Sequence, residues 1–227
     1  MLIDFRAKEI TLKLVYYGPA LSGKTTNLQA IHRLINPDST GRLMTLDTRD
    51  DRTLFFDLLP ISIDSPTGLS LRLKLFTVPG QVMHNATRRL VLKGADGVAF
   101  IADSRRAQSD ANQDSLRNLR ENLRENGLDA DALPTVIQYN KRDLPDAWTK
   151  EELAKISEAS REPVYEAVAI QGEGVGETLF GLFARVWAHL EKEHRLGENL
   201  GTTARDVNLQ LRSLFGEAPG SSPLGEH

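Results

Sequence analysis

The run Gly18-Pro-Ala-Leu-Ser-Gly23-Lys24-Thr25 has the spacing G-x-x-x-x-G-K-[ST]. That spacing wraps backbone N–H groups around phosphate oxygens at the positive end of a helix. Each fixed position has a chemical reason. Gly18 and Gly23 let the backbone turn and approach an anion, Lys24 brings a point charge to the outer phosphates, and the Thr25 hydroxyl is placed to ligate Mg2+. The candidate nucleotide-contacting run is therefore Gly18, Pro19, Ala20, Leu21, Ser22, Gly23, Lys24, Thr25 and Thr26. Phosphate cradling ignores the base, so these residues alone do not separate ATP from GTP, or a kinase from a hydrolase.

A second constellation addresses the base. Asn140-Lys141-Arg-Asp143 follows the apolar run Thr135 to Tyr139, which reads as a buried strand. Its carboxyl end lies on the same rim of an α/β sheet as the phosphate loop. A carboxylate at Asp143 accepts from the ring N–H and exocyclic amine of guanine, whereas adenine presents the opposite polarity on that edge. The pattern resembles the N-K-x-D signature of the Ras-like GTPases. Val168-Ala169, after the next apolar run, resembles the last guanine-contacting loop of that family, with Ile170 in place of the usual polar residue.

Between the two lie Asp51-Arg52-Thr53-Leu-Phe-Phe-Asp57 and Thr77-Val-Pro-Gly80-Gln81, where nucleotide-sensing loops belong. Gly80-Gln81 resembles the second switch, in which the glycine N–H meets the γ-phosphate and the glutamine orients the attacking water. Thr53 is the candidate first-switch threonine, a second Mg2+ ligand beside Thr25 in the triphosphate state. The family at large has Asp where this chain has Thr77, so a charge-assisted contact to a magnesium-bound water is lost there. Asp57 either compensates, if the first switch folds inward, or caps or flanks a strand.

Taken with Tyr17-Gly-Pro, Gly23-Lys-Thr-Thr-Asn27 and Gln138-Tyr-Asn-Lys-Arg-Asp-Leu-Pro145, these strings are similar to the MglA group of bacterial small GTPases, in which the same Thr recurs. The likeness spans roughly residues 4 to 193. It implies a GTP/GDP switch in cell polarity or gliding motility, using Mg2+, slow alone and accelerated by a Roadblock-type partner resembling MglB, and read out by effector proteins. It also implies an arginine supplied in cis from the first switch, here Arg52, as the partner of Gln81 in catalysis. A guanidinium placed near the γ-phosphate raises the rate by about 10^3 to 10^5. Outside the resemblance, an Arg beside Asp50 and Asp51 is ordinarily a solvated ion-pair residue.

The elements that must position these groups read as an alternation of strands and helices. Ile10 to Tyr17, Gly97 to Ala102, Thr135 to Tyr139 and Val164 to Ala169 read as buried parallel strands; Leu58 to Ile63 and Leu69 to Phe76 read as a hairpin. Helical periodicity covers Lys24 to Leu34, Asn112 to Asn126, Lys150 to Ser157 and Val175 to Glu193. The expected fold is thus α/β: a Ras-like P-loop domain whose mostly parallel sheet is flanked by helices and carries one antiparallel edge hairpin. Asn36 to Asp51 reads as irregular. The domain is expected over 1–195, with 196–227 a C-terminal extension, partly helical and then a flexible tail.

The 227 residues suffice for one core, and the net charge of -3 with pI near 6.0 gives no overall drive toward nucleic acid or an anionic membrane. With no cysteine, disulfides and thiol chemistry are excluded. Charged residues at Asp4, Arg6, Lys8 and Glu9 do not suit a signal peptide, and neither the myristoylation nor the prenylation pattern is present. A cytoplasmic protein without a direct membrane anchor is expected, recruited to a cell pole by partners if at all.

Overall fold

The computed structural model describes residues 1–46, 56–64, 68–81 and 84–216. Its strands are β1 (Leu2–Asp4), β2 (Glu9–Tyr17), β3 (Met44–Leu46), β4 (Phe56–Asp64), β5 (Ser70–Thr77), β6 (Gly97–Asp103), β7 (Thr135–Asn140) and β8 (Val164–Ala167). The helices are α1 (Lys24–Leu34), α2 (Asn85–Leu92), α3 (Ser109–Glu125), α4 (Lys150–Ala159), α5 (Val175–His194), α6 (Leu196–Leu200) and α7 (Ala204–Ser213). The strands form one sheet in the order β3-β4-β5-β2-β6-β7-β8, with β1 also paired to the start of β2. β5, β2, β6, β7 and β8 run parallel; β4 pairs antiparallel with both β3 and β5. The expected α/β fold with one antiparallel hairpin is what the chain adopts.

The period-two alternation of β2 feeds two cores. Ile10, Leu12, Leu14 and Tyr16 join α1 and α5 on one face of the sheet, while Val15 and Tyr17 join α2 and α3 on the other. From β2 the chain moves first toward β5 and later to β6, so the strand order reverses beside β2. The crevice at the carboxyl ends of β2 and β6 is therefore where an open α/β sheet takes a ligand.

Three segments differ from the sequence expectation. α2 carries no apolar signature because its buried positions are Thr87, Arg88, Val91 and Leu92, only two of them apolar. Beyond α5, the sequence pattern suggests Leu209, Leu211, Leu214 and Phe215 as a weak apolar set outside the core. Leu209 is instead exposed, and Leu196, Leu200, Val207 and Leu211 are fully buried in the same cluster as α5. Removing such a side chain from water contributes about 1.5–3 kcal/mol. A capping box starts α7: the Thr203 hydroxyl accepts from the Asp206 N–H at 3.2 Å, and the Asp206 carboxylate accepts from the Thr203 N–H at 3.0 Å. The Phe215 ring meets Phe180 edge-on at 5.0 Å, and the Asn36 N–H donates to the Leu214 carbonyl at 3.1 Å. Asn36 leads into a short turn at Pro37–Ser39 and then β3, so the expected irregular stretch contains an edge strand.

Candidate functional site

The phosphate loop joins β2 to α1. Gly23, with φ of 100°, caps α1 in a conformation L residues rarely adopt, and a Cβ there would lie 2.2 Å from the Asn140 amide nitrogen. Leu21 is also left-handed, with φ of 61°, and is 85% exposed beside the loop. Such strain in a non-glycine residue is concentrated at functional sites. The Lys24 ammonium, 6% exposed, donates to the Gly18 carbonyl at 3.0 Å and the Pro19 carbonyl at 2.6 Å. An ammonium has three donors, and among the described residues the third meets no partner. Burial, helped by the nearby Arg88 charge and only partly opposed by Asp57, lowers the Lys24 pKa from 10.5 to about 7. A desolvated cation with a spare donor at a helix N-terminus fits an anionic phosphate.

The segment Asn140–Asp143 is bolted to that loop. Asn140, 2% exposed, donates to the Ser22 carbonyl at 2.8 Å and accepts from the Ala169 N–H at 2.9 Å. One amide therefore holds the phosphate loop, the Asn140–Asp143 turn and the Val168–Ala169 loop together. Two residues earlier, Gln138 exchanges two amide hydrogen bonds with Asn27 of α1, both at 2.9 Å, and donates to the Thr178 hydroxyl of α5 at 2.8 Å. A buried network satisfied in this way fixes the helices against β7. Lys141, left-handed at φ 67°, donates to Asp103 at 2.7 Å. Burial pushes the Asp103 carboxyl up, but hydrogen bonds from Arg105 and Lys141 outweigh it and hold the group below its ordinary value. Asp143 is exposed, with its carboxylate open to solvent on this rim.

The opposite end of the site is a cleft of about 840 Å3, lined by Lys24, Thr25, Thr26, Asp57, Gly80 and Gln81 among others. That volume suits a small-molecule ligand. Gly80 abuts the loop so closely that a Cβ would lie 2.3 Å from the Ala20 Cα. Asp57, second residue of β4, turns inward and is 6% exposed. Its carboxylate accepts from the hydroxyls of Thr25 at 2.7 Å, Thr77 at 2.9 Å and Thr45 at 2.9 Å, and its N–H donates to the Thr77 hydroxyl at 2.8 Å. An acid thus stands beside Thr77, and the donor set here is oxygen throughout, the chemistry a hard divalent cation takes. Arg52 and Thr53 lie outside the described residues.

No protein-family model matches the chain. Over 190 residues it is 50% identical to the mutual gliding-motility protein MglA of Myxococcus xanthus (strain DK1622), an alignment covering 84% of this chain and 97% of that protein. The chain belongs to the MglA family. It is accordingly a small GTPase with the Ras-like fold, a class whose ligand is guanine nucleotide.

Within this MglA-family site, three positions escape a search by contiguous motif. Asp57 has a signal: β4 buries alternate residues, Asp57, Leu59, Ile61 and Ile63, so an acid stands at a buried parity opposite Thr77. Thr45 becomes visible only once β3 is paired to β4, where it faces Asp57. Asp103 ends the fully buried strand β6, level in register with Asn140, and an acid in that place calls for a cation.

Proposed function

We propose that this chain is a GTP-hydrolysing switch: it binds GTP and GDP, hydrolyses GTP slowly alone, and is accelerated by a Roadblock-type partner resembling MglB. Its GTP form engages effector proteins that act in cell polarity or in gliding motility, the second being the process for which its Myxococcus relative is named. The observation that supports this most is Asn140, which ties a phosphate loop, an N-K-x-D turn and the Ala169 N–H into one rim.

In this reading the loop N–H groups and Lys24 bind the phosphates, Asp143 selects guanine, and Val168–Ala169 closes over the base. Mg2+, when bound, would offset the negative charge on the phosphoryl oxygens. Thr25 and Thr53 would hold the ion, and Asp57 would supply from β4 the carboxylate that Thr77 lacks. The Gly80 N–H meets the γ-phosphate, Gln81 orients the attacking water, and Arg52 neutralises charge as the bond to the leaving oxygen breaks. Arg52 and Thr53 are assigned on the resemblance alone.

A second reading, a guanine-nucleotide-binding module with little hydrolysis, draws on Thr77 in place of an acid. The two separate on Gln81. Gln81→Leu keeps nucleotide affinity near wild type while single-turnover hydrolysis falls by about 10^2-fold or more, the loss expected for an interaction made only in the transition state. Unchanged turnover in that variant refutes the assignment of Gln81.

A further inference from the structure

Arg88 is the most deeply buried cation among the described residues, 1% exposed, and no carboxylate among them pairs with it. A buried charge needs compensation. Here it comes from neutral groups. The guanidinium Nε donates to the Pro79 carbonyl at 2.8 Å, one terminal nitrogen donates to the Gly80 carbonyl, and the other donates to the Asn118 side-chain oxygen at 2.7 Å. Its carbon lies 5.3 Å from the centre of the Tyr17 ring, within cation–π range. Asn118 also accepts from the Tyr17 hydroxyl at 2.6 Å, and Asn122 and Asn118 both donate to Asn85, at 2.8 Å and 3.0 Å.

From this geometry we infer that Arg88 is a positioning residue for GTP hydrolysis, clamping the Pro79 and Gly80 carbonyls to α3 so that the next two N–H groups face the phosphate site. The inference rests on the reading that the Gly80 N–H meets the γ-phosphate and Gln81 orients the attacking water. In a trans peptide the C=O and the following N–H point in opposite directions. Holding both carbonyls into the α2–α3 interface therefore aims the Gly80 and Gln81 N–H groups out of it, where Gly80 lies against Ala20. The same guanidinium lies over the ring of Tyr17, the residue before Gly18, so one side chain references the second switch to the phosphate loop. The planar fork of arginine reaches two carbonyls and Asn118 at once, which a lysine ammonium does not reproduce. The charge is also felt at Lys24, whose ammonium it disfavours.

The test uses full-length Arg88→Met and Arg88→Lys, with GDP affinity, affinity for a non-hydrolysable GTP analogue and single-turnover hydrolysis measured for each. A residue that only stabilises the fold moves both nucleotides alike. A residue that positions Gly80 moves the triphosphate alone. Arg88→Met is expected to bind GDP as wild type does, lose preference for the GTP analogue by about tenfold, and hydrolyse GTP about 10- to 100-fold more slowly, with Arg88→Lys between it and wild type. If the methionine variant does not fold, the lysine variant decides. Wild-type GTP preference and hydrolysis in a folded variant, or equal weakening of both nucleotides, overturns the proposal. Gly80→Ala, run in parallel, collides with Ala20 and tests the underlying reading. If it loses GTP preference while the Arg88 variants keep theirs, only the role of Arg88 fails. If it keeps that preference, the placing of Gly80 at the γ-phosphate fails.

Discussion

Lys24→Met is expected to weaken GDP and GTP binding by about 30-fold or more while making the nucleotide-free protein more resistant to heat. Both effects have one source. The ammonium is buried, bonded among the described residues to two carbonyls, and pushed toward neutrality by desolvation. Removing one partner of a buried, hydrogen-bonded charge pair costs about 2–5 kcal/mol of binding, and tenfold in affinity is about 1.4 kcal/mol. Without ligand the same charge opposes folding, so an apolar side chain of similar length stabilises the free protein.

The linkage to pH follows from the lowered pKa of Lys24. Between about pH 7 and its ordinary 10.5 the unfolded chain binds more protons at this group, so its contribution to stability of the free protein rises with pH in that window. A bound phosphate favours the ammonium, so GDP binding above about pH 7.5, where a phosphate with second pKa about 6 is already ionised, takes up a proton and weakens as pH rises. Titration calorimetry in buffers of different ionisation enthalpy reads that uptake. Heat independent of buffer at pH 8.5, or a Lys24→Met variant binding within a few-fold of wild type, removes Lys24 from the phosphate site.

Asp57→Asn is expected to leave nucleotide affinity in chelator unchanged but to weaken affinity and retention in Mg2+ by about 10- to 100-fold, the worth of one charged hydrogen bond of about 1.5–3 kcal/mol. The carboxylate stands 2.7 Å from the Thr25 hydroxyl and 2.9 Å from that of Thr77, within reach of the position where the family at large carries its acid. Moving that acid tests the geometry. Thr77→Asp alone sets two carboxylates against each other, and like charges at that range raise one pKa and weaken the site. The exchange Asp57→Thr with Thr77→Asp is expected to recover most of the Mg2+ dependence. Asp57→Asn with wild-type Mg2+ dependence contradicts the role given to Asp57.

Contiguous features were the legible ones. The residues of α1 begin at Lys24 and end at Leu34, as their spacing requires, and Leu69, Leu71, Leu73 and Leu75 share a buried face. The phosphate run and Asn140–Asp143 meet because each follows a buried parallel strand and opens on the same rim. What stayed hidden depends on register or on polar groups in buried places. α2 has no apolar stripe because Arg88 occupies it. The C-terminal helices bury Leu196, Leu200, Val207 and Leu211, a pattern obscured by Leu209, which faces solvent. Asp57 reads as a strand-flanking acid until β4 and β5 are paired, and only then does it fall opposite Thr77.

The most direct test of the switch is to identify the nucleotide that co-purifies with the protein and then to time its hydrolysis alone and with a Roadblock-type partner. Guanine nucleotide is expected, with GTP converted slowly to GDP and inorganic phosphate by the protein alone and faster with the partner. Adenine nucleotide in the crevice, or tightly held GTP from which neither condition releases phosphate, contradicts it.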